Sequence, residues 1–569
     1  MWTAAIRGIP GKVILDSSRA LTEPHVFARS KSDLPLLLCL ALCAIILATL
    51  DDYGLTWDEP SYNESGQEHF LWCRHPSLSK NSIDSHWQFG NEYPPLGVLV
   101  GGFTEDVLHN RHGWMEQYKA FRLQVLLYVF ILNFTLFTWV RECWGRATAF
   151  VAVLSFFFLP RAFFHAHLGA LDYPMTTMWV VTTYAFWKGL ASPRWMLAAS
   201  VLAGFALLTK VNALFLWPFL LGCFAVWFRS DLRLLLRDRL RGCFKEHARV
   251  ARNLAALLLI PPAVFFIGWP WLWPQPFSRT WDYFAGLARH GQLPVYYMGK
   301  AWMCPPWHYA FVLTAVTIPL VVLIPFFVAL FRLHRTTHRA AAAFLLLNGL
   351  LPIVVIAFVS SYAYDGVRLW LPAFPFLCAL SAVGVREIYR LAERLKARAA
   401  FVALYSALFA ASVYFSVVRY HPYESAYFNE IVGGVDGAAA RGFETEYWGA
   451  PYQAVLPWLN AHSENTFWIP MAGKILGVYQ ADGRLAPMNL AEEALNADYM
   501  VLLCRRGWFN LRLGRHTMFK LQPRLWKFYT HQKPVYSVKV FDTLLVGVYE
   551  LRKSAAIAQK SGNTAGDWW

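Results

Sequence analysis

The chain has 569 residues, of which 57% are hydrophobic and only 15% charged, and its net charge is +16. Soluble domains are typically about a quarter charged, so the composition excludes an ordinary soluble protein and predicts an α-helical polytopic membrane protein. The basic residues stand in short runs between apolar blocks. This placement indicates control of membrane topology and argues against a nucleic-acid partner.

Eleven apolar blocks are predicted to be membrane-spanning helices. A helix rises about 1.5 Å per residue, so about 20 residues cross a hydrocarbon core of about 30 Å, and several of the blocks are shorter than this. They lie at about 34–50, 121–140, 147–160, 174–190, 195–209, 212–228, 253–268, 309–331, 340–360, 369–385 and 400–418. Lysine and arginine are concentrated in alternate loops, which predicts a cytoplasmic N-terminus.

Two long loops fall on the opposite, outer face. The first, 51–118, contains the stretches PSYNESGQEHFLWC and TEDVLHNRHGWMEQYKAF, which are predicted to be helices lying on the membrane. The second, 269–308, is dense in Trp, Tyr and Pro. Aromatic residues favour the membrane–water interface, so this loop is also expected to lie there.

The chain becomes more polar from about residue 419. Within this part, TFWIP and ADYMVLLC predict short strands, and PVYSVKVFDTLLVGVYEL predicts a hairpin. A small α/β domain outside the membrane is therefore expected at the C-terminus. The predicted domains are a cytoplasmic tail at 1–33, a membrane core at 34–418 that includes the first outer loop at 51–120, and the periplasmic or extracytoplasmic α/β domain at 419–569.

The segment GLTWDEP places two carboxylates, Asp58 and Glu59, just after the first apolar block. Thr56 and Glu59 have the spacing of a capping box, and Pro60 suits a first helical turn, so the pair could simply begin a surface helix. Alternatively, Asp58 could take a proton from an acceptor hydroxyl at the membrane surface, as a general base does.

Further acidic and histidine side chains fall on the same outer face. Glu92 precedes Pro94-Pro95 and is either a solvated loop acid or a contact to a metal or a sugar hydroxyl. In LPRAFFHAHLGALDYPMTT, Asp172 is either a helix N-cap or a site acid. His165 and His167 form only a weak metal signal, and a structural role is favoured for both.

Two cationic side chains also fall on this face. Lys210, in LLTKVNALF, either snorkels to the interface or pairs with an anionic lipid headgroup. Arg368 stands at the mouth of a block broken by Pro372 and Pro375. An arginine at membrane depth is costly unless it is paired, and its bidentate geometry suits a phosphate. Arg368 is therefore a functional candidate.

Motifs of the common hydrolases and nucleotide-driven enzymes are missing from the sequence. It contains no nucleotide-phosphate loop, no GxSxG elbow and no HExxH. A transferase on the outer face would need a donor that arrives already activated on a lipid.

Taken in order, these motifs resemble the GT-C glycosyltransferases, and most closely the bacterial protein O-mannosyltransferase and aminoarabinose-transferase branch (family 39/83-like). The resemblance covers about residues 34–390 and rests on the Asp-Glu pair at 58, the Glu-x-Pro-Pro at 92, the LDYP with Asp172, the LTK with Lys210, and the Arg-x-x-Leu-Pro-x-x-Pro from Arg368. It implies a GT-C-like fold and inverting transfer of a sugar from a polyprenyl (undecaprenyl or dolichyl) phosphate to an acceptor hydroxyl at the outer face.

The resemblance also implies roles for individual residues. Asp58 would be the base, with Glu59 and Asp172 beside it as catalytic acids, Lys210 and Arg368 would bind the donor phosphate, and Glu92, His165 and His167 are candidates for substrate or metal contacts. Two positions depart from the family pattern. Tyr93 stands where the aminoarabinose transferases have a lysine, and Leu369 stands where a tyrosine is usual.

The implied partners are a polyprenyl-phospho-sugar donor, membrane lipids and an acceptor that is a protein, a lipid or a polysaccharide, in a bacterial inner membrane. No cofactor is implied with certainty, and a divalent metal is left open because metal use varies among relatives. The C-terminal stretches HPYESAYFNEIVGG (421–434) and TEYWGAPY (445–452) match many uncharacterised bacterial members in pattern but not in function.

Two rival functions remain. A transporter or flippase of a lipid-linked sugar would place its charges near the bilayer midplane and show paired, repeated halves, which this sequence does not. An oligosaccharide ligase of related fold would share the outer site.

Overall fold

A computed structural model of the chain describes residues 33–91, 93–238, 248–289, 293–358, 363–492, 494–509 and 531–551. Its helices are α1 (Leu34–Ala48), α2 (Glu59–Arg74), α3 (Lys80–Trp87), α4 (Leu96–Glu105), α5 (Gln117–Arg122), α6 (Gln124–Trp144), α7 (Arg146–Phe157), α8 (Pro160–His165), α9 (Asp172–Gly189), α10 (Pro193–Leu207), α11 (Ala213–Trp227), α12 (Arg229–Asp238), α13 (Ala248–Ile267), α14 (Pro276–Arg289), α15 (Tyr309–Thr317), α16 (Leu320–Phe331), α17 (Arg339–Phe358), α18 (Phe374–Arg394), α19 (Arg398–Val413), α20 (Gly434–Ala440), α21 (Leu456–Ala461), α22 (Ile475–Ala481) and α23 (Arg506–Phe509).

Every predicted span contains a helix, which confirms a polytopic helical membrane protein. Among the described residues, six stretches are long and apolar enough to cross a membrane: Leu34–Asp52, Gln117–Trp144, Ala248–Ile267, Arg339–Phe358, Arg368–Arg394 and Arg398–Val418. The predicted count of eleven also includes α7, α10 and α11, which are apolar but have only 12, 15 and 15 residues. It includes α9 as well, whose 18 residues are mostly buried among the other helices.

The predicted span 309–331 is not one helix. It consists of α15 and α16, which are bent by 118° at a short break. Ile318 is extended, as a residue before proline prefers to be, and Pro319 cannot continue the first helix. The freed carbonyl groups are satisfied by Asn429, whose side-chain amide donates to Ala315 at 2.7 Å and to Ile318 at 2.8 Å.

The first outer loop forms helices at both expected stretches, with one difference, and their position on the membrane stays a prediction. The stretch PSYNESGQEHFLWC lies within α2, as predicted. The second stretch is broken, because α4 ends at Glu105, a π-helical turn follows at Asp106–Arg111, and α5 begins only at Gln117. Gly113, with φ +61°, supplies the left-handed residue that this reversal requires.

A five-stranded sheet confirms the predicted α/β fold at the C-terminus. The strands outside the helices are β1 (Val295–Tyr297), β2 (Lys300–Trp302), β3 (Thr466–Trp468), β4 (Asn489–Leu490), β5 (Tyr499–Leu503), β6 (Tyr536–Val540) and β7 (Thr543–Glu550). The sheet has the order β4-β3-β5-β7-β6, with β3 parallel to β4 and β5, and with β7 antiparallel to β5 and β6. The β1–β2 ribbon in the second outer loop was not predicted.

The chain between about 420 and 455 packs on the membrane helices as well as on the sheet. Phe428, Phe443, Tyr447 and Trp448 are buried in the same apolar cluster as α6, α9 and α18. The sheet has its own core, to which Leu55 of the first outer loop contributes. The two motifs singled out in this part of the sequence therefore contact the membrane core directly, and the domain boundary at 419 stays a prediction.

Candidate functional site

Asp58 lies at the start of α2, where the first outer loop leaves α1. Its Oδ2 accepts a hydrogen bond from Nη1 of Arg368 at 2.7 Å and a weaker one from the indole N–H of Trp448 at 3.4 Å. The side chain is 26% exposed, so it is still open to an incoming molecule.

Glu59 is placed differently from its neighbour, because its side chain is fully buried in an ion pair. Arg122 donates to both carboxylate oxygens at 2.7 Å, and the backbone N–H groups of Thr56 and Gly169 complete the set. The bond from the Thr56 N–H is the one that the predicted capping box requires, but the box is incomplete because α2 begins at Glu59 and Thr56 is not its N-cap. These contacts fix the start of α2 and so hold Asp58 in place.

Asp172 is the first residue of α9, and Lys210 follows the end of α10. Their side chains form an ion pair, with Nζ of Lys210 2.5 Å from Oδ1 of Asp172. Asp172 is almost completely buried and its Oδ2 has no hydrogen-bond partner in the described part of the chain. Lys210 faces the site, and Asp172 behind it fixes the position of the ammonium group.

Arg368 is paired, as an arginine at this depth requires. It stands in a turn of 3-10 helix just before α18, and its Nη2 lies 2.8 Å from Oδ2 of Asp365. The guanidinium group lies over the ring of Trp448 at 4.8 Å and over that of Tyr364 at 5.4 Å.

The remaining predicted candidates lie behind the site or outside the described residues. His167 uses both ring nitrogens, one with the carbonyl of Phe163 and one with the hydroxyl of Thr49, each at 2.8 Å. His165 packs against Trp448 at 5.1 Å between ring centres, and burial lowers its pKa to about 3, so the ring is neutral. Glu92 lies outside the described residues.

A single cavity of about 1120 Å³ joins the charged side chains, and we call it the site cavity. Asp58, Lys210 and Arg368 line it, whereas Glu59, Asp172 and the two histidines are not among the described lining residues. One side is apolar and comes from the membrane helices α9, α11 and α17: Trp179, Leu214, Phe215, Pro352, Val355 and Ile356. Another side is polar and comes from the surface helices α3 and α14: Lys80, Asp84, Arg279 and Asp282.

Three of the charged lining residues, Asp58, Lys210 and Arg368, come from chain segments at the same end of the helix bundle. Asp58 follows α1, Lys210 follows α10 and Arg368 precedes α18. In the predicted orientation this end faces outward. Such an arrangement can hold an anion between two cations beside a carboxylate, with an apolar chain lying along the membrane helices.

Comparison with known families agrees with this geometry. Residues 114–241 match the model of the family described as dolichyl-phosphate-mannose-protein mannosyltransferase. The predicted resemblance to GT-C glycosyltransferases is confirmed. At this level the match supports a glycosyltransferase that uses lipid-linked sugars. No curated protein sequence matches the chain significantly.

Several solved structures are similar to the chain. ArnT from Cupriavidus metallidurans bound to undecaprenyl phosphate aligns with 91% of this chain and 98% of its own, at 14% identity and a TM-score of 0.49. The oligosaccharyltransferase from Archaeoglobus fulgidus in its apo form aligns with 84% of this chain and 70% of its own, at 12% identity and a TM-score of 0.40.

Trp448, which lines the site cavity beside Asp58, was missed as a site residue. It belongs to the motif TEYWGAPY, where one oxygen of Glu446 accepts the backbone N–H groups of the next three residues at 2.6–3.0 Å. Gly449, with φ +89°, allows this tight turn. The motif itself was visible in the sequence, but its position beside Asp58, 390 residues away, was not.

Asp365 and Arg505 were also missed. Asp365 joins Arg368 to Arg505, whose Nη2 lies 2.5 Å from Oδ1 of Asp365. Asp365 has φ +54° and Gly366 has φ +63°. The Asp-Gly pair is a turn signal that could have pointed to a special loop before Arg368, whereas nothing in the local sequence marks Arg505.

Proposed function

We propose that the chain transfers a sugar from a polyprenyl-phosphate donor to an acceptor hydroxyl at the outer face of a bacterial inner membrane. The observation that supports this proposal is the site cavity, where Asp58, Lys210 and Arg368 stand beside an apolar side formed by membrane helices. A lipid chain fits the apolar side, and the donor phosphate fits between Lys210 and Arg368.

In the proposed reaction, the acceptor oxygen attacks the anomeric carbon of the sugar while Asp58 takes the hydroxyl proton. The bond between the anomeric carbon and the phosphate oxygen breaks, and its electron pair leaves with the polyprenyl phosphate. Lys210 and Arg368 balance the charge that develops on the phosphate. A single displacement of this kind inverts the configuration at the anomeric carbon.

Glu59 and Asp172 take supporting roles in this proposal, rather than the catalytic roles that the sequence suggested. Each is buried, bonded to a cation and absent from the described lining of the cavity. Glu59 fixes the loop that carries Asp58, and Asp172 orients Lys210.

Metal use stays open: the described residues contain no group of three or more His, Cys, Asp and Glu side chains placed to hold an ion, but Glu92 lies outside them.

The rival transporter function is less well supported. A transporter site is expected near the bilayer midplane between repeated halves, whereas Asp58, Lys210 and Arg368 all lie at helix ends. An oligosaccharide ligase would use the same end of the bundle. The size of the transferred glycan distinguishes it from a transferase of single sugars.

The experiment compares glycans and lipids by mass spectrometry in a deletion strain complemented with wild-type protein, Asp58→Asn or Asp51→Asn. We expect Asp58→Asn to lower product formation by about 100-fold or more, because the general base is lost. Asp51 is the matched control, since its exposed carboxylate lies in the same loop and pairs with Lys119. Wild-type product levels in the Asp58→Asn strain would refute the assignment of the base.

A further inference from the structure

Arg505 links the C-terminal sheet to the site cavity. It stands two residues after the end of β5, its side chain is only 4% exposed, and it is one of the residues that line the cavity. Its backbone is held by the sheet, because the N–H of the preceding residue, Cys504, bonds to the carbonyl of Leu545 in β7 at 2.8 Å. The guanidinium group therefore enters the site from a rigid element.

The guanidinium group of Arg505 connects two loops that flank the catalytic residues. Nη2 lies 2.5 Å from Oδ1 of Asp365, and Nη1 donates to the carbonyl of Tyr447 at 2.9 Å. Asp365 is the partner of Arg368, and Tyr447 immediately precedes Trp448. A single side chain thus holds the neighbours of Arg368 and Trp448, two of the groups that contact Asp58.

The four charged side chains form a row of alternating sign: Arg505, Asp365, Arg368 and Asp58. The two carboxylate oxygens of Asp365 are divided between the two guanidinium groups. With Arg505 present the row is neutral. Without it, two carboxylates would face one guanidinium group, and the excess negative charge would repel a phosphate.

In the proposed function, a donor phosphate would compete with Asp58 for Arg368. Nη1 bonds to Asp58 at 2.7 Å, and a phosphate bound at this guanidinium would weaken that bond and free Asp58 to act as a base. Asp365 must keep its hold on Nη2 while this exchange occurs. Asp365 has a left-handed backbone, which is unusual for a residue with a side chain, and its second partner, Arg505, keeps the carboxylate in place.

We infer that Arg505 is a positioning residue for the donor phosphate, which acts through Asp365 on Arg368. This inference rests on the proposed function, and it assigns the C-terminal segment a part in donor binding. Arg505 is not required to touch the reacting atoms.

The test measures the affinity of purified protein in lipid nanodiscs for undecaprenyl phosphate, with Arg505→Gln, Asp365→Asn and the double variant. We expect each single variant to bind about tenfold more weakly and the double variant to bind no more weakly than the weaker single, because both changes break one linkage. Arg505→Lys keeps the charge and one contact, so it should recover part of the affinity. A purely structural role would not give this pattern in variants whose melting temperatures match the wild type.

Arg506→Gln is the matched control. Arg506 is the next residue in the chain, and its Nη1 bonds to the carbonyl of Ala439, away from the described lining of the cavity.

Wild-type affinity in Arg505→Gln, or additive losses in the double variant, would overturn the inference. If Arg505→Gln does not fold, the affinities of Arg505→Lys and Asp365→Asn for undecaprenyl phosphate decide instead. Wild-type affinity in both would overturn the inference. Failure of the proposed function would look different: the wild-type protein itself would not bind undecaprenyl phosphate, and the inference would fail with it.

Discussion

At the scale of residues, the two adjacent carboxylates of GLTWDEP have different environments. Asp58 bonds to Arg368, and both side chains line the site cavity. Glu59 is instead enclosed by Arg122 and backbone N–H groups. A buried ion pair costs free energy to desolvate and becomes strongly destabilising when one partner is lost. Asp58 is therefore open to the cavity, whereas Glu59 is fixed. Because Glu59 holds the start of α2, it also determines the position of Asp58.

Glu59→Gln is expected to destabilise the protein, because it leaves the buried guanidinium of Arg122 without its counter-charge. The expected loss is about 3–5 kcal/mol, seen as a lower melting temperature of the purified protein in detergent. Asp58→Asn is the matched comparison and should melt close to the wild type, since its side chain is partly exposed. If Glu59→Gln melts like the wild type and yet has no activity, Glu59 is catalytic and its assignment as a positioning residue is wrong.

At the scale of elements, the C-terminal segment is tied to the first outer loop by a cluster of polar groups beside GLTWDEP. His421 lies 2.8 Å from Asp52 through Nε2 and 2.9 Å from Glu424 through Nδ1. Tyr53 donates to Glu424 at 2.8 Å and stacks on His167. The motif that contains His421 also contains Asn429, which bonds to the break between α15 and α16. This short stretch therefore connects the C-terminal segment both to the first outer loop and to the membrane helices.

The stability of this contact should depend on pH. The hydrogen bond with Glu424, and then that with Asp52, raises the pKa of His421 to about 9, compared with about 6.5 in an unfolded chain. A raised pKa means that the stabilisation is complete below about pH 6.5 and is lost as the pH rises through about 9. The melting temperature of the wild type should therefore fall between pH 7 and pH 10 more steeply than that of His421→Gln.

His462→Gln is the control for this pH dependence, because His462 stacks on Trp458 in the C-terminal segment and bonds only to a backbone carbonyl among the described residues. It should keep the wild-type slope. Equal slopes in wild type and His421→Gln would show that the His421 cluster does not contribute as described.

At the scale of the whole molecule, the parts of the fold that could be predicted are those with a local signal. The eleven apolar blocks and the strands around 466–468 and 499–503 were found from composition and alternation. The break at Pro319 was missed, because its free carbonyls are satisfied by Asn429, more than 100 residues away along the chain. Long-range partners of this kind leave no trace in a local pattern.

The same distinction applies to the site. Asp58, Lys210 and Arg368 were found through motif order, and the structure brings all three to one cavity. Glu59 was given a catalytic role because its partner Arg122 lies 63 positions away. Arg505 was not considered at all, since its importance depends on Asp365, 140 positions away. Residues that act through a distant partner could not be recognised from the sequence alone.

The central claim is that Asp58 and the donor phosphate share Arg368, with Lys210 as the second cation. The most direct measurement is the affinity of undecaprenyl phosphate for wild type, Asp58→Asn, Arg368→Gln and Lys210→Gln in nanodiscs. Asp58→Asn should bind as tightly as the wild type or more tightly, because it removes the competitor for Arg368, while its sugar transfer falls by about 100-fold or more. Arg368→Gln and Lys210→Gln should bind at least about tenfold more weakly. Wild-type affinity in both cation variants, or a loss in Asp58→Asn as large as theirs, would contradict the account.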